Sequence, residues 1–206
     1  MRLLISAGPT REKIDPVRFI TNYSSGKMGY ALAQAAADMG IDVVLVSGPV
    51  TLARPECVKE FYQVESAAEM AETIFSLSSG CDAIIMAAAV ADYRPAEICS
   101  SKMKKKDGDL CLRLERTTDI LAGLGERKTP GQKLIGFAAE TDDLLENARK
   151  KLERKNLDWI AANKVSDGFG KETNTITLLG RDGRKIPLET ADKLTVARKL
   201  LDTVLN

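Results

Sequence analysis

Apolar positions along this chain occur either as short uninterrupted runs or at intervals of three and four. "RLLISAG", ending at Gly8, "VVLVSGP", from Val43, and "DAIIMAAAV", ending at Val90, are apolar runs bounded by turn residues, the pattern of strands buried on both faces. Between the first two, Ala31, Leu32, Ala35, Ala36 and Met39 recur at helical spacing from Met28 and stop at Gly40. "VKEFYQV" reads as another strand and "SAAEMAETIFSLSS" as a helix capped by Ser66. This alternation predicts an α/β, Rossmann-like fold with a mostly parallel central sheet and helices on both faces.

The rhythm breaks after Val90. "ADYRPAEICSSKMKKKDGDLCLRLERT" is charged and lacks helical periodicity, but "KDGD" is a hairpin signal followed by the alternating "LCLRL". An antiparallel hairpin excursion is expected there, with a basic flap around residues 97–108. The alternation returns with a helix near Asp119 to Arg127, a strand at "KLIGFAAE", a helix from Asp142 to Lys155 and a strand at "LDWIAAN". A second hairpin turns at "GRDGRK" before a last helix, "ADKLTVARKLLDTVL". With no repeat, low-complexity tract or linker, residues 1–206 are expected to form one mixed-sheet domain.

Composition removes whole classes of chemistry. The chain has no histidine, which excludes Ser-His-Asp and Cys-His catalysis and histidine-ligated zinc. The 30 basic and 29 acidic residues give a net charge of +1, so nothing favours nucleic acid or an anionic membrane, and any basic site must be local. Cys57, Cys81, Cys99 and Cys111 form no C-x-x-C pair, and no long apolar run or signal peptide is legible. Reduced thiols in a cytoplasmic protein are expected.

The stretch "TNYSSGKMG", Thr21 to Gly29, invites a phosphate. A Walker A loop fails at both ends, with Thr21 in place of its first glycine and Met28 in place of its magnesium-binding hydroxyl. The G-x-G-x-x-G fingerprint fails too, since Gly26 and Gly29 lack the first glycine and no acidic residue ends the second strand. Ser24, Ser25 and Gly26 at a helix start would still present N–H groups to an anion, while either serine could equally serve as a plain cap. Tyr23 and Lys27 have the spacing of a hydride-transfer dyad but the wrong place in the chain, and read as coincidence.

Three other stretches carry candidate chemistry. "AAAVADYRP" places small residues, Asp92 and Arg94 at the carboxyl end of a strand, where ligands bind in open α/β sheets. A packed strand end with a surface Asp–Arg pair is the alternative. Lys102, Lys104, Lys105 and Lys106 form either a solvated loop or a flap that closes over phosphates. Lys151 and Lys155 share one face near a helix C-terminus, where the dipole favours cations in any case.

Together, "ISAGPTREKIDPVRFITNYSSGKMG", "LVSGPV", "AAAVADYRP", "KMKK", "GFAAET" and "RKNLD" resemble, in order and spacing, the phosphopantothenate–cysteine ligases of coenzyme A biosynthesis. The resemblance covers nearly all of Met1 to Asn163. It implies a ligase in which the carboxylate of 4'-phosphopantothenate attacks CTP to give an acyl-cytidylate and pyrophosphate, after which the amine of L-cysteine displaces CMP. Magnesium is implied, with its ligands unassigned.

By the same resemblance, Asn22 contacts the acyl-phosphate region and assists the reaction with cysteine, and Lys102 serves cytidylate formation. Ala88, with Met86, Ala87 and Asp92, matches the nucleotide-binding strand end. Asp119, Ile120, Leu121, Phe137, Lys151 and Lys155 match cytidine or phosphate positions. Thr118 stands in the same loop where the bacterial pattern has a proline.

A homodimer is implied, with the hairpin beyond Lys102 or that near Gly180 reaching the partner, as is a flavin-dependent decarboxylase half from which the chain is either separate or excised. An ATP-using ligase of the same family and a nicotinamide-dependent reductase are the alternative activities.

Overall fold

The computed structural model of the chain describes residues 1–105, 107–168 and 170–205, so Lys106 of the basic cluster lies outside the described residues. Strand β1 (Arg2–Ala7) leads into a small antiparallel pair, β2 (Glu12–Asp15) and β3 (Arg18–Ile20), before helix α1 (Lys27–Asp38). Then follow β4 (Asp42–Ser47), β5 (Glu60–Gln63), α2 (Ala67–Ser78) and β6 (Ala83–Met86). Strands β7 (Tyr93–Pro95) and β8 (Leu114–Arg116) pair with each other, away from the main sheet. The remainder comprises α3 (Ile120–Arg127), β9 (Lys133–Glu140), α4 (Leu144–Arg154), β10 (Trp159–Lys164), the short α5 (Val165–Gly168), β11 (Thr173–Gly180), β12 (Lys185–Asp192) and α6 (Lys193–Leu205).

The 8-stranded sheet has the order β12-β11-β10-β9-β6-β1-β4-β5. Strands β5 through β10 in that order are parallel, and β11 and β12 add an antiparallel edge. The chain winds outward from β1 to β5, then restarts on the other side of β1 with β6. Between β1 and β6 lies the switch point at which open α/β sheets bind ligands.

Leu3, Leu4, Ile5, Ile84, Ile85 and Ile135 are fully buried because both faces are covered. Alanines and leucines of α1 and α6 pack one face, and apolar residues of α2, α3 and α4 pack the other. Among the described residues, no helix is long and apolar enough to cross a membrane.

Some expectations need correction. The antiparallel excursion forms as the β7–β8 pair, but of the alternating "LCLRL" only Leu114 enters a strand, in which Tyr93 lies opposite Arg116. Its alternation has no sheet face to pack on, and Leu110, Leu112 and Leu114 are exposed. The β2–β3 pair had no legible signal, because its strands are too short to show a period and its turn is closed by Asp15, which accepts N–H bonds from Val17 and Arg18, each at 2.9 Å. The last helix begins at Lys193, not Ala191, since β12 runs on to Asp192, whose carboxylate accepts the Thr195 N–H at 2.9 Å and so caps α6.

Helix α1 lies unusually close to β1 at Gly29. A Cβ there would stand 2.5 Å from Ala7 Cβ and 3.1 Å from the Ser6 carbonyl oxygen. Gly29→Ala should therefore overpack this contact at a cost of about 1–3 kcal/mol, exceeding the roughly 1 kcal/mol that alanine gains over glycine within a helix. A lowered urea midpoint at unchanged m-value is the expected result, and an unchanged midpoint would mean that α1 has room to shift.

Candidate active site

Two contiguous cavities, of about 430 and 400 Å³, open across the carboxyl ends of β6, β9 and β10, beside the start of α1. Ala88, Val90, Asp92, Phe137 and Lys151 stand in the walls of both, so they form one cleft at the switch point.

At one end of the cleft is the start of α1. Gly26 occupies its N-cap position with φ 76, and no side chain caps the helix. Ser24 Oγ receives only the Gly26 N–H, at 3.4 Å, so the capping alternative for the two serines is not what forms. The uncapped helix start faces the cavity, with Ser24, Ser25 and Gly26 in its wall.

The fingerprint that fails in sequence is met in space. Gly8 turns the chain after β1 with φ 75, and a Cβ on Gly26 would stand 3.3 Å from Gly8 Cα. Gly8, Gly26 and Gly29 thus perform the tight turn, the close backbone approach and the close helix–strand packing of a Rossmann loop. Residues 9–25, including β2 and β3, are interposed between the first two. At the end of β4, where a dinucleotide site would carry a carboxylate, Ser47 is buried and accepts a bond from the Tyr30 hydroxyl at 3.1 Å.

Asn22 is oriented from both sides. Its Oδ1 accepts the Ser24 N–H at 3.0 Å and its Nδ2 donates to the Ala89 carbonyl at 2.7 Å. The loop beyond β6 is itself pinned, with the Ala88 N–H donating to Ser6 Oγ at 3.1 Å and the Ala91 N–H to Thr10 Oγ1 at 3.0 Å. Both hydroxyls are fully buried. Arg94 pairs with Glu115 at 2.8 Å rather than with Asp92, which leaves the Asp92 carboxylate to line the cleft.

The other end holds Met86, Thr118, Asp119, Ile120, Leu121 and Lys155. Asp119 caps α3 by accepting the Ala122 N–H at 3.0 Å, and receives Lys155 Nζ at 2.8 Å. Partial burial pushes its pKa up, but the Lys155 bond, the Ala122 N–H and the charges of Lys155 and Arg154 hold it below the ordinary value. The helix start that a proline would preset therefore forms with Thr118 in its place. Lys151 Nζ donates to the Phe137 carbonyl at 2.9 Å.

The structure adds residues that the sequence did not single out. Arg116 and Arg154 join the first cavity, and Asn163, Asn174 and Lys193 the second, where Lys27, set aside with the dyad spacing, also stands. Asn163, at the end of buried β10, was findable by the strand-end rule applied to Asp92; Lys193 had no signal. Burial, then the Lys27 charge, lower the pKa of Lys193, while Lys27 pairs with Glu172. Lys102 is exposed and stands in neither wall.

Over residues 1–206 the chain matches the DNA/pantothenate metabolism flavoprotein C-terminal domain model. It belongs to that family. It is 51% identical over 205 residues to the coenzyme A biosynthesis bifunctional protein CoaBC of Bacillus subtilis, covering 98% of this chain and 50% of that protein. The CoaBC of Escherichia coli strain K12 is 44% identical over 212 residues, covering 100% of this chain and 52% of the relative. The chain thus spans about half the length of these curated relatives.

The solved C-terminal domain of a CoaBC superposes with a TM-score of 0.85 at 47% identity, covering 98% of this chain and 93% of that one. A Cab2 mutant in complex with phosphopantothenate-cysteine shares the fold, with a TM-score of 0.81 at 18% identity over 99% of this chain and 85% of its own.

In this family member the cleft is suited to a polyanion. Among the described residues, no group of three acidic or cysteine side chains could hold a metal on its own. Lys151 is the residue of the cleft with which to test this, since its pKa lies below the ordinary 10.5 because burial disfavours the ammonium and Lys155 repels it, against the pull of Glu140, Asp119 and Asp92.

Between that lowered value and 10.5 the unfolded chain binds the extra proton, so this residue makes the unliganded protein more stable as pH rises through the window. A phosphate beside the ammonium restores the proton. Inorganic pyrophosphate should therefore bind with proton uptake and weaken as pH rises through the Lys151 titration, measured by calorimetry in buffers of differing ionisation enthalpy. Lys151→Met should abolish the uptake and weaken binding roughly tenfold to a hundredfold; uptake unchanged in that variant would assign the proton to another group.

Proposed function

We propose that this domain is a CTP-dependent phosphopantothenate–cysteine ligase, a cytoplasmic enzyme of coenzyme A biosynthesis. The observation that carries the reading is the single cleft, with an uncapped helix start at one end, a lysine-lined pocket at the other, and the fixed amide of Asn22 beside Ala89. Likeness to the CoaBC proteins supports the pathway, and the shared fold of the Cab2 complex with phosphopantothenate-cysteine is consistent with the substrates.

In this reading the nucleotide lies along the first cavity, its base against Thr118–Leu121 and Phe137, and its phosphates reach Lys151, Lys155 and the uncapped start of α1 beside Ser24–Gly26. A carboxylate oxygen of 4'-phosphopantothenate attacks the α-phosphorus and pyrophosphate departs, with Lys102 brought in by the flap to offset the charge of the transition state. The amine of L-cysteine then attacks the acyl carbon and CMP leaves. Asn22 has one N–H committed to Ala89 and a second with which to donate to the tetrahedral oxyanion without itself titrating.

Asp92 is the carboxylate placed to hold a magnesium ion that is otherwise bound by the nucleotide's phosphates and water, which is how this ion usually binds. Magnesium there would supply charge neutralisation on the phosphates.

The exposed Ile98, Leu110, Leu112 and Leu114 on the β7–β8 arm favour that arm over the β11–β12 hairpin as the homodimer contact, since the latter is built into the sheet edge. In the bifunctional relatives we assign the remaining length to a flavin-dependent decarboxylase. The four free cysteines agree with a reducing compartment. A nicotinamide-dependent reductase gains no support, given Ser47 at the end of β4.

Asn22→Asp should let acyl-cytidylate form and accumulate while amide formation falls roughly a hundredfold or more, since a carboxylate would face both the oxyanion and the Ala89 carbonyl. Lys102→Gln should instead slow cytidylate formation. Quenched incubations with CTP, magnesium and phosphopantothenate, with and without cysteine, followed by mass detection, separate the two. Accumulation in the Lys102 variant and not in the Asn22 variant would reverse the assignments. Pyrophosphate release with ATP exceeding that with CTP would overturn the choice of nucleotide.

A further inference from the structure

The flap that carries Lys102 is held to the body of the protein by a carboxylate that takes no part in lining the cleft. Asp15, at the end of β2, has a fully buried side chain. Its Oδ1 accepts the N–H groups of Val17 and Arg18, and its Oδ2 accepts Arg18 Nε at 2.9 Å, Arg18 Nη2, and the Met103 N–H at 3.1 Å. Arg18 Nη2 in turn donates to the Met103 carbonyl at 3.1 Å. Both backbone polar groups of Met103 are therefore taken by one ion pair.

A second tie lies a few residues earlier, where the Cys99 N–H donates to the Ile14 carbonyl at 3.0 Å. Beyond Met103, Lys104, Lys105 and residues 107–112 form no hydrogen bond or ion pair with any other described residue. Lys102 thus sits between two anchors, next to the last fixed point before Lys104 and Lys105.

We infer that Asp15 is a positioning residue for the flap: with Arg18 it clamps the backbone of Met103 and sets the point from which Lys102 reaches the cleft. This rests on the reading that Lys102 serves the first chemical step. The carboxylate is needed on both of its oxygens. One oxygen closes the β2–β3 turn and the other receives the flap, so the hairpin interposed between Gly8 and Gly26 is the mount on which the flap stands. Hydrogen bonds from Arg18, against the upward push of burial and with the N–H bonds of Val17 and Met103, hold the carboxyl well below the ordinary carboxylate range, which favours the charged form of the clamp.

Asp15→Asn is a selective test. The amide oxygen can still accept from Val17 and Arg18 and keep the turn, but its NH₂ would meet the Met103 N–H and the Arg18 guanidinium donor to donor. In the full chain, hydrogen exchange at the Met103 amide should accelerate at least about tenfold. The rate of acyl-cytidylate formation should fall roughly tenfold to a hundredfold, with the KM for CTP little changed.

In a Lys102→Gln background the same substitution should cost less than about twofold more, because Asp15 acts through Lys102. Met103→Pro, which removes the clamped N–H and leaves Asp15 intact, should reproduce the rate loss if Asp15→Asn does not fold. Independent, multiplying effects of the Asp15 and Lys102 substitutions, or unchanged Met103 exchange, would overturn the proposal. Failure of the wild-type chain to form any acyl-cytidylate would instead remove the ligase reading, and the exchange measurement would still decide whether the clamp exists.

Discussion

The close approach of α1 to the end of β1 is the constraint from which the rest of the cleft follows. Gly29 lets the helix backbone settle against Ala7, Gly26 starts the helix in a left-handed turn, and Gly8 clears the space beside it. The end of β4 is drawn into the same junction, where a Cβ on Gly48 would fall 1.8 Å from the Pro9 carbonyl. With side chains excluded from this seam, the helix N–H groups point into the switch point between β1 and β6 rather than into a cap. An anion is the natural occupant of such a position.

The electrostatics are correspondingly local. A chain of net charge +1 has no field to steer a polyanion from a distance, so its cations are placed individually. Lys155 is neutralised by Asp119 and Lys27 by Glu172, each across the edge of the cleft. Lys151 stands between the two cavities with a carbonyl for a partner, and burial lowers its pKa from the ordinary value. The site is therefore charge-compensated at its rim, while at its centre Lys151 shares the walls of both cavities with the Asp92 carboxylate.

Much of this was legible in the sequence because strong periods and strand ends are local signals. The apolar runs located β1, β4, β6 and β9, and the rule that polar residues at the end of a buried strand are functional pointed to Asp92. The resemblance added Asn22 and the loop at Asp119 and gave a role to Lys151 and Lys155, which their spacing had already paired, and all of them line the cleft. What was not legible was long-range. The first glycine of the phosphate-binding turn was hidden by the residues interposed between Gly8 and Gly26, Lys193 arrives from a helix far along the chain, and the β2–β3 pair owes its form to Asp15 rather than to any strand period. The alternating leucines of the arm misled for the opposite reason, a period without a face to bury.

The central claim is that the carboxylate of the acid substrate is activated by transfer of a nucleotidyl group in this cleft. It is tested most directly by following heavy oxygen from phosphopantothenate labelled in its carboxylate. Attack on the α-phosphorus followed by displacement of CMP must leave one labelled oxygen in the CMP released with each amide formed. Label found in CMP would agree with the account, whereas label in inorganic phosphate or pyrophosphate, with none in CMP, would contradict it.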